Sequence, residues 1–231
     1  MKHFFFYAFL FFFCIAGSIA SAQQYHHNPS RTGNTNVPTN VVQRDFSDPY
    51  TKFSIEINGN SSAFEGRLGF RIPLLLSDSV YIGLNGLASD DDFYIVSADL
   101  TYGTRVLDEK MGLDIGLKGS WGEAEKGEQD ARMGALALML KAEYDLPDIE
   151  ITYSRYLDME IFGELSISPS PLTFADGDKH MESRCGININ LSQNKRSAFT
   201  LGYRYIKMDF EDRGDWNKKE NSAYLGFRLR F

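Results

Sequence analysis

At 231 residues, 43% hydrophobic and 24% charged, the chain is long enough for one domain with a sizeable interior and too mixed for a disordered or collagen-like polymer. A formal charge of -7 with no clustered Lys and Arg argues against a nucleic-acid face, which needs many cations to neutralise phosphates. Aromatic content of 14%, together with 20 Gly, suits short strands and tight turns and points to an all-β chain.

Residues 1–22 read as an export signal: Met1, Lys2 and His3 form a positive head, an apolar run follows from Phe4, and Ala20-Ser21-Ala22 offers a cleavage site before Gln23. The run holds about 12 strongly apolar residues, short of the roughly 20 that a spanning helix needs. Cys14 lies inside that run, so a lipid-anchored Cys is not expected, and cleavage leaves Cys185 without a partner for a disulfide or a Cys-based metal site. Residues 23–48, rich in Asn, Thr, Gln and Pro, read as a flexible tail, with His26 and His27 as solvated members of it.

Residues 49–231 repeat one theme, segments of about ten residues that alternate apolar and polar between turn residues. The predicted strands are 50–58, 62–72, 79–88, 93–105, 110–122, 132–145, 149–162, 179–191, 197–210 and 221–231. In the fifth, Met111, Leu113, Ile115, Leu117 and Trp121 share one face and Asp114, Lys118 and Ser120 the other, because side chains alternate across a strand. Connections near residues 107–109, 147–148 and 193–195 read as short turns, whereas 123–130, 166–178 and 211–219 read as longer charged loops on the opposite end. That asymmetry matches an antiparallel up-and-down transmembrane β-barrel of about ten strands, with eight as the alternative.

A soluble barrel has the same period with the faces reversed. Aromatics in the apolar phase favour the membrane barrel, because they gather near the strand ends: Phe53, Phe70, Tyr102, Tyr144, Phe199 and Phe231 toward the short turns, and Phe64, Tyr94, Trp121 and Tyr205 toward the loops. The inward set is then charged and nearly balanced. Its bases are Arg67, Arg71, Lys118, Lys141, Arg184, Arg204, Arg228 and Arg230, and its acids Glu56, Glu65, Asp99, Asp114, Glu143, Glu150 and Glu182. Mutual pairing inside a narrow lumen is the expected outcome, since unpaired buried charge is costly. Inward Gly116 is expected to accept Ala or Ser at less cost than Arg at Ile115 or Leu117.

Gly202-Tyr203-Arg204-Tyr205, followed by Gly226-Phe227-Arg228-Leu229-Arg230-Phe231, resembles the C-terminal region of the YfaZ family of bacterial outer-membrane proteins. Phe162-Gly163-Glu164 and the strand through Glu182 and Gly186 extend the resemblance over residues 160–231. It implies an outer-membrane location and brings no catalytic residues or cofactor. The ending at Phe227, Leu229 and Phe231 also looks like the signal read by barrel-assembly machinery, an apolar edge strand with a terminal aromatic suited to strand addition.

The expected role is structural or surface-binding. Asp90, Asp91, Asp92, Asp176 and Asp178 on the external loops are the candidates for contacts with divalent cations or lipopolysaccharide. A narrow pore and a rim-located hydrolase using His180 with Asp178 are the alternatives, the latter requiring an acid within hydrogen-bond reach of its base. His180 and Ser183 lie an odd number apart and face opposite sides of a strand. No catalytic motif or cofactor site is read, and the chain is expected not to be an enzyme.

Overall fold

The computed structural model describes residues 53–231, apart from 75–77, 91, 108–109, 127–128, 148, 153–154, 193–194 and 212–215; the export signal and the tail lie outside the described residues. Its strands are β1 (Phe53–Gly59), β2 (Ala63–Pro73), β3 (Asp78–Ser89), β4 (Phe93–Val106), β5 (Met111–Lys126), β6 (Gln129–Asp145), β7 (Ile149–Thr152), β8 (Arg155–Ser168), β9 (Thr173–Ala175), β10 (Gly177–Asn190), β11 (Ser197–Phe210) and β12 (Trp216–Arg230). Ten of them close an antiparallel ring. Each pairs with the next, β6 with β8 and β8 with β10, and β12 pairs with β1 to seal the sheet. β7 folds onto the start of β8, and β9 fills Met133 to Ala135 of β6 above the end of β8.

Alternation decides the faces. β4 is strictly two-sided, with Ser97, Asp99 and Thr101 buried and Tyr94, Val96, Leu100 and Tyr102 exposed. β5 repeats the pattern, burying Asp114 and Lys118 while Ile115 is 66% exposed. Soluble monomers seldom expose apolar patches beyond a few hundred Å². An apolar band on most strands around charged interior side chains is therefore the arrangement of a barrel surrounded by hydrocarbon, and it removes the soluble alternative.

The two ends of the barrel differ. Phe53 and Phe231 lie together at the terminal end, with ring centroids 6.1 Å apart, and Phe199 meets Phe227 edge-on at 5.6 Å. Tyr102 donates to Asp78 at 2.5 Å on the same rim. Phe64, Tyr94, Trp121 and Tyr205 face outward toward the far end.

Four expectations need correction. The stretch 149–162 is not one strand: β7 ends at Thr152, and β8 begins at Arg155 and runs on to Ser168. The described residues of the charged stretches 123–130 and 211–219 are largely strand, since Glu123 pairs with Arg132 and Lys126 with Gln129, while Trp216 to Lys219 pair back onto β11. Once a strand passes the apolar band its outer face meets water, so a charged sequence there marks a tall hairpin as readily as a loop. The segment 166–178 holds a turn of 3-10 helix at Ser170–Leu172 and β9. The C-terminal strand is not an open edge either, because β12 pairs with β11 and β1.

Candidate functional site: the lumen and its apolar layer

Inward side chains form chords across the ring. Arg67 on β2 binds Glu164 on β8 through both guanidinium amines, at 3.1 and 2.8 Å, and these strands stand five apart in the ring of ten, the greatest separation it allows. Lys118 reaches Glu182 at 2.5 Å, and Arg184 donates to Glu56 at 2.7 Å and to the Tyr224 hydroxyl at 3.0 Å. Arg204 donates to Glu65 at 3.2 Å and Glu220 at 2.8 Å. Lys141 and Asn85 both donate to Asp99, at 3.2 and 3.1 Å.

A second group lies nearer the terminal end. Glu160, 1% exposed, accepts from Arg228 at 2.8 Å, Arg230 at 3.2 Å and Asn188 at 2.9 Å. Arg71 donates to Asp114 at 3.0 Å and to Ser79 at 2.8 Å. Glu143 is half-buried on β6 and makes no hydrogen bond or ion pair among the described residues. A small pocket lined by Lys118, Met139, Glu164, Glu182 and Arg184 has no room for a water molecule.

Charge does not fill the whole lumen. Toward the far end many inward residues are apolar: Ala63, Leu87, Phe93, Ile95, Ala124, Ala131, Met133, Ile206, Met208, Phe210 and Trp216 form one buried cluster, with Lys218 over the Phe93 ring at 5.9 Å. Phe210 stacks on Trp216 at 4.3 Å. His180, 2% exposed and paired in register with Met208, sits at this level with no hydrogen-bond partner for either ring nitrogen among the described residues. The hydrolase reading needs an acid on that ring, and the structure does not bring Asp178 onto it; Asp178 binds Lys179 at 3.2 Å instead.

The acidic candidates fall into two sets. Asp90 and Asp92 are exposed at the β3–β4 turn, where the Asp90 amide donates to Ser62 O at 2.7 Å and Asp92, at φ 58°, accepts from the Glu125 amide at 2.8 Å through its carbonyl. Asp91 lies outside the described residues. Asp176 braces neighbouring hairpins: its carboxylate accepts from the Arg132 amide at 2.9 Å and its carbonyl from Glu211 at 3.2 Å. No hydrogen bond or ion pair joins the two sets among the described residues. Phe227 and Leu229 belong to the outward phase of β12, and just past its end the Phe231 amide donates to Phe53 O at 2.8 Å across the closing seam.

Among solved structures, the chain is similar to one described as a bacterial polysaccharide outer membrane secretin, at 11% identity and a TM-score of 0.38, covering 73% of this chain and 57% of that one. It is also similar to the NanC porin, at 10% identity and a TM-score of 0.33, covering 78% of this chain and 100% of that one. No protein-family profile and no curated protein matches it. The fold stands on the strand pairings and inverted faces described above.

Sequence reading missed Glu160, Glu164 and Glu220 as lumen acids. Glu164 and Glu220 lay just beyond strand ends drawn too short, while the alternation Met159-Glu160-Ile161 already marks Glu160 as inward. Glu150, read as a lumen acid, belongs to β7 outside the ring. The apolar layer was legible in Ile206, Met208 and Phe210, which continue the phase of Arg204.

Proposed function

We propose that this chain is a bacterial outer-membrane barrel with a closed lumen, its terminal end toward the periplasm, and a structural or surface-binding role carried by its far-end hairpins. The observation that carries this reading is the Arg67–Glu164 chord, which spans the full width of the ring beneath a buried apolar cluster. A diffusion channel needs a wet path where these groups interlock. The export-like head and the resemblance of residues 160–231 to the YfaZ family support the same placement. The terminal strand ending in Phe231 suits capture by barrel-assembly machinery. Asp90, Asp91, Asp92, Asp176 and Asp178 supply the acidic rim for divalent cations or lipopolysaccharide.

Reconstitution in planar bilayers tests the proposal. The expected result is no steady conductance of a porin's size, and such conductance overturns the closed lumen. Protease and lipase assays on the same preparation address the hydrolase, which turnover abolished by His180→Ala would establish. Divalent cations should raise the stability of the folded barrel, and an unchanged Asp90→Asn, Asp92→Asn variant would remove those residues from the role.

A further inference from the structure

We propose that the outer wall of β11 and β12 binds the phosphate of a lipid headgroup between Lys207 and Lys219. This inference rests on the membrane reading above. Strand register sets the surface in rows: Leu201 faces Leu225 in the apolar band, Tyr205 faces Asn221 at its upper edge, and Lys207 faces Lys219 in the next outward row. Leu201 and Leu225 are 54% and 69% exposed, so the surface below the lysines is one that lipid chains cover. Lys207 stands two residues beyond Tyr205, about 7 Å along the strand. Interfacial Tyr sits at headgroup level, so the pair lies where lipid phosphates are.

The pairing is otherwise unfavourable, because like charges directly opposite on neighbouring strands destabilise the pair. Asp209 binds Lys207 at 2.6 Å, which offsets one cation. Lys219 is exposed and makes no hydrogen bond or ion pair among the described residues. An anion between the two ammonium groups removes the repulsion, and Lys serves as a point-charge ligand for phosphate. A headgroup phosphate is favoured over the free ion because the same side of both strands is lipid-covered immediately below.

The test uses the full chain after export, folded into phosphatidylcholine vesicles that contain either lipid A or its dephosphorylated form. The readout is the temperature at which the compact gel band is lost. Wild type should melt higher with lipid A, and Lys219→Gln should lose most of that shift. In dephosphorylated vesicles the same variant should be at least as stable as wild type, because only the repulsion is then removed. An equal lipid A shift in wild type and variant overturns the proposal, as does an equal loss from Lys110→Gln at the opposite end of the barrel. Orthophosphate that reproduces the shift in dephosphorylated vesicles overturns the lipid source. A compact band without a phosphate-dependent shift defeats this proposal alone, whereas failure to form the band in any vesicle defeats the membrane reading itself.

Discussion

Glu160 is one carboxylate shared by Arg228, Arg230 and Asn188, at 1% exposure. A buried ion pair contributes little net stability, but removing one member strands the other in a site built for its partner, at a cost of about 3–5 kcal/mol. Glu160→Ala should therefore lower the urea midpoint of the folded barrel sharply, and recovery of that midpoint when Arg228→Ala is added would identify stranded charge as the cause. Gly116, expected to accept Ala at less cost than Arg at Ile115 or Leu117, is limited by space. A Cβ there would stand 2.0 Å from the Leu100 carbonyl oxygen and 2.6 Å from Thr101 Cα, so it meets the backbone of β4 rather than open lumen. Gly119, three residues on, has nothing within 4 Å of the same position. Gly116→Ala should cost about 1–3 kcal/mol or more through overpacking, with Gly119→Ala near neutral, both read from the fraction of heat-sensitive compact band. Alternation could assign Gly116 to the inner face, but how closely β4 approaches it is a property of sheet coiling that a period of two does not encode.

At the scale of the element, β5 shows what the alternation could and could not tell. Ile115 and Leu117 lie opposite Tyr102 and Leu100 on β4 and Leu140 and Leu138 on β6, a continuous outward apolar ladder. Arg at either position should cost roughly 2–4 kcal/mol near the bilayer midplane. Folding into vesicles, followed by the same gel band, measures it; unimpaired folding of both variants would mean that this face does not meet hydrocarbon. This face was legible because β5 is apolar on one side only. Its upper end was not, since Glu123 and Glu125 look like loop residues until Ala124, 0% exposed, is recognised as still facing inward. The break between β7 and β8 was hidden for a similar reason: Ile149 to Ile161 alternates well enough to pass for one strand, although the register shifts between Glu150 and Thr152.

For the whole molecule, the proposed closure of the lumen rests on two layers, one of charge and one of apolar packing, and the two should fail independently. Arg67→Ala with Glu164→Ala removes both members of the longest chord and strands neither charge, so the barrel should still fold. The apolar layer remains in that variant, and a tightly packed apolar constriction resists wetting and ion entry. Phe210→Ala with Met208→Ala opens the apolar layer instead, where Phe210 stacks on Trp216 and Met208 is 1% exposed. Lys118–Glu182 and Arg204–Glu65 still bridge the lumen beneath it. Neither double variant should conduct steadily in planar bilayers, and the quadruple variant should. Only variants that give the compact band are compared, so misfolded leaks do not enter the measurement. Steady current through the Arg67/Glu164 variant alone would show that the apolar layer is no seal, while a silent quadruple variant would show that the remaining chords close the barrel unaided.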